Sequence, residues 1–282
     1  MSKIRFVTDS TCDLPPDVIA RHEIGVVPCY VNFGGQSYAD DGVELIREQY
    51  YDKLPHMRPF PTTAAMPPAV AQKVIDEVFP QSEHLFILTA FSNMSTIHQS
   101  MKMASSHLPQ DRVTLIDSGT ASMGLGLQVL IGAETAEQTG DINAVLSAME
   151  RVRQHQLVYA SLSTLDYLRR SGRVSWASAA IGNLLQIKPI ISVLHNEVKS
   201  VAQLRTFRRS LDELARLALE QAPIDRLALM HTNNLEGVEE LRERLSDSLP
   251  ADTMVVRVNP TVGTHIGPGA VGLTMVSQTW RT

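Results

Sequence analysis

Several familiar signatures are missing from this 282-residue sequence. Aromatic residues make up only 5% of it, against 44% hydrophobic residues overall, so any core is aliphatic. There are two cysteines, Cys12 and Cys29, too few for a disulfide scaffold and not arranged as a metal-ligand pair. They suit a reducing compartment, and the chain reads as cytoplasmic. Basic residues are outnumbered, 25 Lys and Arg against 30 Asp and Glu, and form no run, which argues against nucleic acid as a partner. No apolar run reaches the roughly 18 residues of a spanning helix, and "MSKIRFVTDS" has no apolar signal core. "SGTASMGLGLQVLIG" carries Gly119, Gly124, Gly126 and Gly132 but no G-x-G-x-x-G after a strand. A Walker A loop, a G-x-S-x-G elbow and an H-E-x-x-H pair are all missing. Nucleotide-loop, α/β-hydrolase and zincin chemistry therefore have no anchor.

What remains is an alternation of short β-rich runs with longer helical ones, the pattern of an α/β fold. "IRFVTDS", "IGVVPCYVNF", "HLFILTA" and "RVTLIDS" read as strands. "LPPDVIARHE" reads as a helix capped by Asp13, and "VELIREQYYDKL" as one capped by Asp40 or Asp41. Further helices are expected in "PPAVAQKVIDEVF", "STIHQSMKMASSHL", "MGLGLQVLIGAETAEQ" and "INAVLSAMERVRQHQ". A fresh strand, "LVYASLS", then opens a second half. It continues with a short helix "LDYLRRSG", a small-residue helix "WASAAIGNLLQ" and a hairpin turning at His195-Asn196. An amphipathic helix "FRRSLDELARLALEQA", a strand "RLALMHT" and a helix capped by Asn233 or Asn234 follow. The expected architecture is two α/β domains, residues 1–155 and 156–282, with a mostly parallel Rossmann-like first lobe and a mixed-sheet second lobe. The last strand is a candidate to pack against the first domain. A cleft between lobes is a preferred place for a ligand.

Hydroxyl residues gather where strands end. Thr8, Asp9, Ser10 and Thr11 follow the first strand, and Thr62 and Thr63 stand in a segment read as a loop before a helix. Ser92 and Ser95 follow a third strand, and Asp117, Ser118 and Thr120 a fourth. Ligands of open α/β sheets bind beyond the carboxyl ends of the strands. Helix N-termini arriving there favour an anion. Singly, each hydroxyl reads best as a helix cap; four clusters together suggest a small anionic head group. The segment "THIGPGAVGL" adds His265 and three glycines, read as a tight turn into a last strand over 270–276. A sharper reading lets bare backbone approach the head group beside His265.

In order along the chain, "VTDSTCDLP", "YADDG", "PTT", "LIDSGTASMGLG", "LDYLRRSGRVSWASAAIGNLLQIKPII" and "HIGPGAVGL" resemble the DegV family of bacterial fatty-acid-binding proteins. That family includes the FakB-type subunits that present an acyl chain to a fatty acid kinase. The resemblance spans nearly the whole chain. It implies two α/β domains, a buried long-chain fatty acid of the palmitate, stearate or oleate class, and no catalytic residue or cofactor of its own. It also implies a possible kinase partner and possible transient membrane contact. The family's carboxylate-holding threonine and serine fall on Thr63 and Ser95, and its arginine and histidine on Arg205 and His265. Ser10 and Ser118, from the strand-end clusters, complete the expected ligand-binding set. The sequence departs from the family at Ala64 to Pro67, at Ser95-Thr96-Ile97 and at Ser171-Gly172-Arg173. These changes bear on chain selectivity and kinase pairing. Arg173 itself reads as a helix C-cap or a partner contact.

A fatty acid needs little from a protein beyond apolar volume. A tail of about 14 methylenes carries roughly 11 kcal/mol of gross burial energy. Association and ordering offset much of it. The Met-rich "NMSTIHQSMKM" reads as core that can also line an adaptable acyl pocket. The alternative class is an enzyme or kinase subunit acting on a small anionic metabolite, as in dihydroxyacetone kinase relatives.

Overall fold

The computed structural model describes residues 3–175, 177 and 187–281. The small-residue helix expected over 176–186 lies, Ala177 apart, outside the described residues.

The first lobe is built on a parallel sheet of β1 (Ile4–Asp9), β2 (Gly25–Val27), β6 (His84–Thr89) and β7 (Val113–Asp117), in the order β2-β1-β6-β7. Helices cover both faces, so β6 is buried at every position, which is why "HLFILT" reads as an unbroken apolar run. Three further strands, β3 (Tyr30–Phe33), β4 (Gln36–Ala39) and β5 (Thr62–Ala64), form a separate antiparallel sheet in the order β4-β3-β5. The run "IGVVPCYVNF" is thus two strands in two sheets rather than one. Pro28 has no N–H for a ladder, and the Cys29 N–H turns aside to Ser10 Oγ at 3.0 Å.

Two expected helix caps serve elsewhere. Helix α1 (Pro16–Arg21) starts on Pro15, with no side-chain cap. Asp13, in a left-handed conformation at φ 57°, turns its carboxylate toward the second lobe. Asp41 accepts from the N–H groups of Val43 and Glu44, closing a turn ahead of helix α2 (Arg47–Lys53), while Asp40 bonds Thr261 in the second lobe. Helices α3 (Pro68–Val78), α4 (Ile97–Ser105), α5 (Met123–Thr139) and α6 (Ile142–His155) complete the lobe. Helix α5 is apolar nearly all round and buried, lying against both large sheets. Its glycines serve close packing: a Cβ at Gly126 would stand 2.4 Å from the Cys12 carbonyl oxygen.

The second lobe carries a six-stranded mixed sheet. Its strands are β8 (Gln156–Ser161), β9 (Lys188–Leu194), β10 (Glu197–Leu204), β11 (Ile224–His231), β12 (Met254–Arg257) and β13 (Val271–Ser277), ordered β10-β9-β8-β13-β11-β12. Only the β11–β12 pair is parallel. The last strand, β13, lies inside this sheet between β8 and β11. Helix α7 (Asp166–Ser171) follows β8, α8 (Phe207–Leu219) follows β10, α9 (Leu235–Arg244) follows β11, and α10 (Pro260–Ile266) precedes β13. Side chains alternate across the sheet with period two. Leu227 and Leu229 pack with α8 and α9, whereas Ala228 and Met230 join the core of the first lobe.

Polar bonds join the lobes. Asp13 accepts from Ser122 Oγ (2.5 Å), Arg47 Nη1 (2.8 Å), the Asn259 N–H (2.9 Å) and Asn259 Nδ2 (3.0 Å). Asp40 accepts from the N–H and hydroxyl of Thr261, at the start of α10. At the His195-Asn196 turn, the Asn196 N–H donates to the Gly119 carbonyl and Asn93 Nδ2 to the Asn196 carbonyl.

Candidate functional site

A cavity of about 510 Å³ lies between the lobes. It draws on β5, the loop and first turn of α4, the segment after α7, the β9–β10 hairpin and α10. Its polar side chains include Thr63, Ser95, His265 and Arg173, and its apolar ones Phe91, Met94, Ile97, Val193 and Ile266. A few polar groups set in a mostly apolar wall suit an amphipathic ligand.

Each polar group is placed by its element. Thr63 stands in the middle of β5, opposite Val31, not in a loop as the sequence suggested. Ser95 lies two residues before α4, and its Oγ is 3.4 Å from the Ile97 N–H, a weak contact that leaves the hydroxyl free to reorient. The positive end of α4 arrives at the cavity wall through Thr96 and Ile97. His265 is on the last turn of α10, with Nε2 2.8 Å from Thr63 Oγ1. Its Nδ1 is buried without a hydrogen-bond partner. If Thr63 is to donate to an anion, the His265 Nε2 must carry the proton it shares with Oγ1. Arg173 is exposed at the rim, one residue beyond Gly172, which ends α7 in the left-handed conformation.

Burial, and then the positive charge of Arg173, bring the His265 pKa down to about 4. The ring is therefore neutral at pH 7. Its folded pKa lies below the unfolded value, so its linkage favours folding fully above about pH 6.5, and that share is lost as pH falls toward 4. An NMR titration should place the His265 midpoint near 4 and show it rising in Arg173→Gln, which removes the neighbouring charge. A midpoint near 6.5, unmoved by the substitution, would contradict this electrostatic account.

The six residues expected from sequence do not all meet. Thr63, Ser95 and His265 line the one cavity, whereas Ser10, Ser118 and Arg205 do not. The buried Ser10 hydroxyl accepts from Cys29, bracing the bend that follows β2. Ser118 holds its own turn through the N–H and carbonyl of Thr120. Arg205 is exposed between the end of β10 and the start of α8. A cation at the cavity is instead Arg173, just past the Gly172 stop of the short helix; its Nη1 donates to the Ser171 carbonyl (2.6 Å), the helix C-cap contact expected of it, while the residue lines the cavity. Met94 and Ile97 reach the cavity, while Met101 is core and Met103 is exposed.

The glycines of "HIGPGA" do not approach the cavity. Gly267 ends α10 at φ 78°, where a Cβ would stand 2.2 Å from the Tyr167 ring. The segment is the turn expected before the last strand. Helix α10 precedes it, a short helix that starts on Pro260 and is capped by Asn259.

Among the described residues, no group of three or more His, Cys, Asp or Glu could hold a metal ion, and no helix is long and apolar enough to cross a membrane.

Fold and cavity define a two-lobed α/β protein with an interlobe cavity that sets a few polar groups in a largely apolar wall. The chain belongs to the DegV family: the model described as "Uncharacterised protein, DegV family" matches residues 3–278. A DegV domain-containing protein of Deinococcus radiodurans is 32% identical, covering 96% of this chain and 98% of its own. The Streptomyces coelicolor DegV domain-containing protein SCO2569 is 30% identical, covering 98% and 99%. A solved Thermus thermophilus structure, described as "Fatty Acid Binding of a DegV family Protein", superposes with a TM-score of 0.90. It is 30% identical and covers 98% of this chain and 99% of its own.

Proposed function

We propose that this protein binds a long-chain fatty acid in the interlobe cavity and presents its carboxylate to a partner enzyme. The observation that carries this reading is the meeting of Thr63, Ser95, His265 and Arg173 at one cavity whose remaining wall is largely apolar. The fatty-acid binding described for the Thermus thermophilus relative supports the same ligand class.

Thr63 and Ser95 supply hydroxyl donors, and His265 orients Thr63 through Nε2. Arg173 and the first turn of α4 supply positive potential. Together they offset the cost of drying a carboxylate. The tail lies along Met94, Ile97, Val193, Val262 and Ile266. Its burial supplies most of the gross binding energy.

The protein itself acts as a carrier rather than a catalyst. Thr96 and Arg173 are exposed at the rim, which supports a carboxylate within reach of a docked kinase. A carboxylate oxygen would attack the terminal phosphorus of a nucleoside triphosphate held by that partner; the new acyl O–P bond forms as the bridging P–O bond breaks and nucleoside diphosphate leaves, so the geometry must bring the two into contact. Two unpaired, buried cysteines are in keeping with a cytoplasmic setting.

Organic extraction of the purified protein followed by mass spectrometry should recover a saturated or monounsaturated long-chain fatty acid at near one per chain. Recovery of nucleotide or sugar phosphate alone, with no binding of added long-chain acid, would overturn the proposal.

A further inference from the structure

A second, smaller chamber of about 60 Å³ adjoins the main cavity. Ala121, Ile191, Val193, Val262 and Ile266 line both, so these five side chains form a neck between them. Beyond the neck the walls include Val158, Ala160, Met230, Ala270 and Gly272. Val158 and Ala160 are alternate residues of β8 and so share one face of the strand.

The polar side chains bordering this chamber already make hydrogen bonds of their own. Ser122 Oγ donates to Asp13, and the Thr232 hydroxyl donates to the Gly267 carbonyl and accepts from the Ala270 N–H. His231 Nδ1 accepts from the Asn234 N–H. A trapped water needs about two to four polar partners, and these groups leave it few. The chamber suits an apolar occupant, and among the described residues it shares five wall residues with the cavity already assigned to the ligand.

We infer that the chamber takes the methyl end of the bound acyl chain, so that Ala160 and Met230 set the preferred chain length. This rests on the reading of the main cavity as a fatty-acid site. The volume corresponds to about two methylene groups, taking each as similar to a water's share of liquid volume, about 30 Å³. The smallest side chain that fills it is therefore informative. Ala160→Val adds two carbons on a strand, where β-branched residues are well tolerated. Met230→Ala removes three heavy atoms from the opposite sense and deepens the chamber.

The test is competition binding to delipidated protein with straight-chain acids from dodecanoic to docosanoic. Relative to the parent, Ala160→Val should shift the best-bound length down by about two carbons, and Met230→Ala up by about two. All three proteins should still prefer acid over methyl ester, because the head-group end is untouched. Ala160→Val should melt no lower than the parent without ligand, since it fills a void; if Met230→Ala fails to fold, Ala160→Val decides alone. Parent and variants with one common preferred length would overturn the chamber assignment and leave the fatty-acid reading standing. A parent that binds no acid of any length would overturn both.

Discussion

Removing the hydroxyls of Thr63 and Ser95 should weaken binding of a long-chain acid by roughly tenfold or more for each, while binding of the methyl ester changes little. A hydrogen bond to a charged group is worth about 1.5–3 kcal/mol, and an ester offers no charge to lose. Thr63→Val is the cleaner probe, because valine keeps the shape of threonine and suits β5. Ser95→Ala removes a hydroxyl that only weakly contacts the Ile97 N–H. The double variant should show coupling, since both donors would share one carboxylate. His265→Gln, which can still donate to Thr63 Oγ1, should bind the acid better than His265→Ala. The rival outcome is specific. If the hydroxyls serve only local structure, the variants lose about 1 kcal/mol of stability and keep parental affinity for acid and ester alike.

Asp13→Ala should be among the most destabilising single changes in the chain. The Asp13 side chain is fully buried, and its carboxylate is bonded by Arg47, Ser122 and both the backbone and side chain of Asn259. Truncation leaves a guanidinium without its counter-charge and three neutral donors short of an acceptor. Breaking such a buried pair costs about 3–5 kcal/mol. It also releases Ser122, which sits at φ 55°, a conformation that persists only when surroundings hold it. For a chain of this size the fall in Tm should be on the order of 10 °C. Arg47→Leu should cost less, because Asp13 keeps its other donors. Asp17→Ala, exposed on α1, is the control. Equal melting of Asp13→Ala and Asp17→Ala would show that the interlobe bond set does not hold the lobes together. Because Asn259 caps α10, loosening this set should also lower affinity at His265, six residues on.

How much of this was legible beforehand divides along local and non-local lines. Strand β6, the hairpin turn at His195-Asn196 and helix α8 follow from runs of neighbouring residues, since apolar period and turn chemistry are local properties. The run "IGVVPCYVNF" misled because β-propensity does not say which sheet a strand joins, and Pro28 broke it. Asp13 and Asp40 looked like helix caps because short acidic side chains before a helix usually are. Their partners Asn259 and Thr261 lie more than two hundred residues away, and nothing local announces them.

The candidate site divides the same way. Thr63, Ser95 and His265 were legible through the resemblance of their segments to a family. Their meeting at one cavity depends on β5 pairing with β3 and on α10 packing across the lobe boundary. Ser10 and Ser118 share the residue type and strand-end position of a ligand group, yet Ser10 accepts from the Cys29 N–H and Ser118 holds its own turn, outside the cavity lining. Arg205 and Arg173 are indistinguishable as charges in a sequence. One follows the end of β10; the other follows the Gly172 stop of α7, bonds back to the Ser171 carbonyl and lines the cavity. The sequence alone determined an aliphatic α/β chain with hydroxyls at its strand ends. Which of those hydroxyls face an apolar cavity, and which cation faces them, was decided by the packing of the two lobes, because a side chain's direction is set by the element that carries it and its surroundings by elements far along the chain.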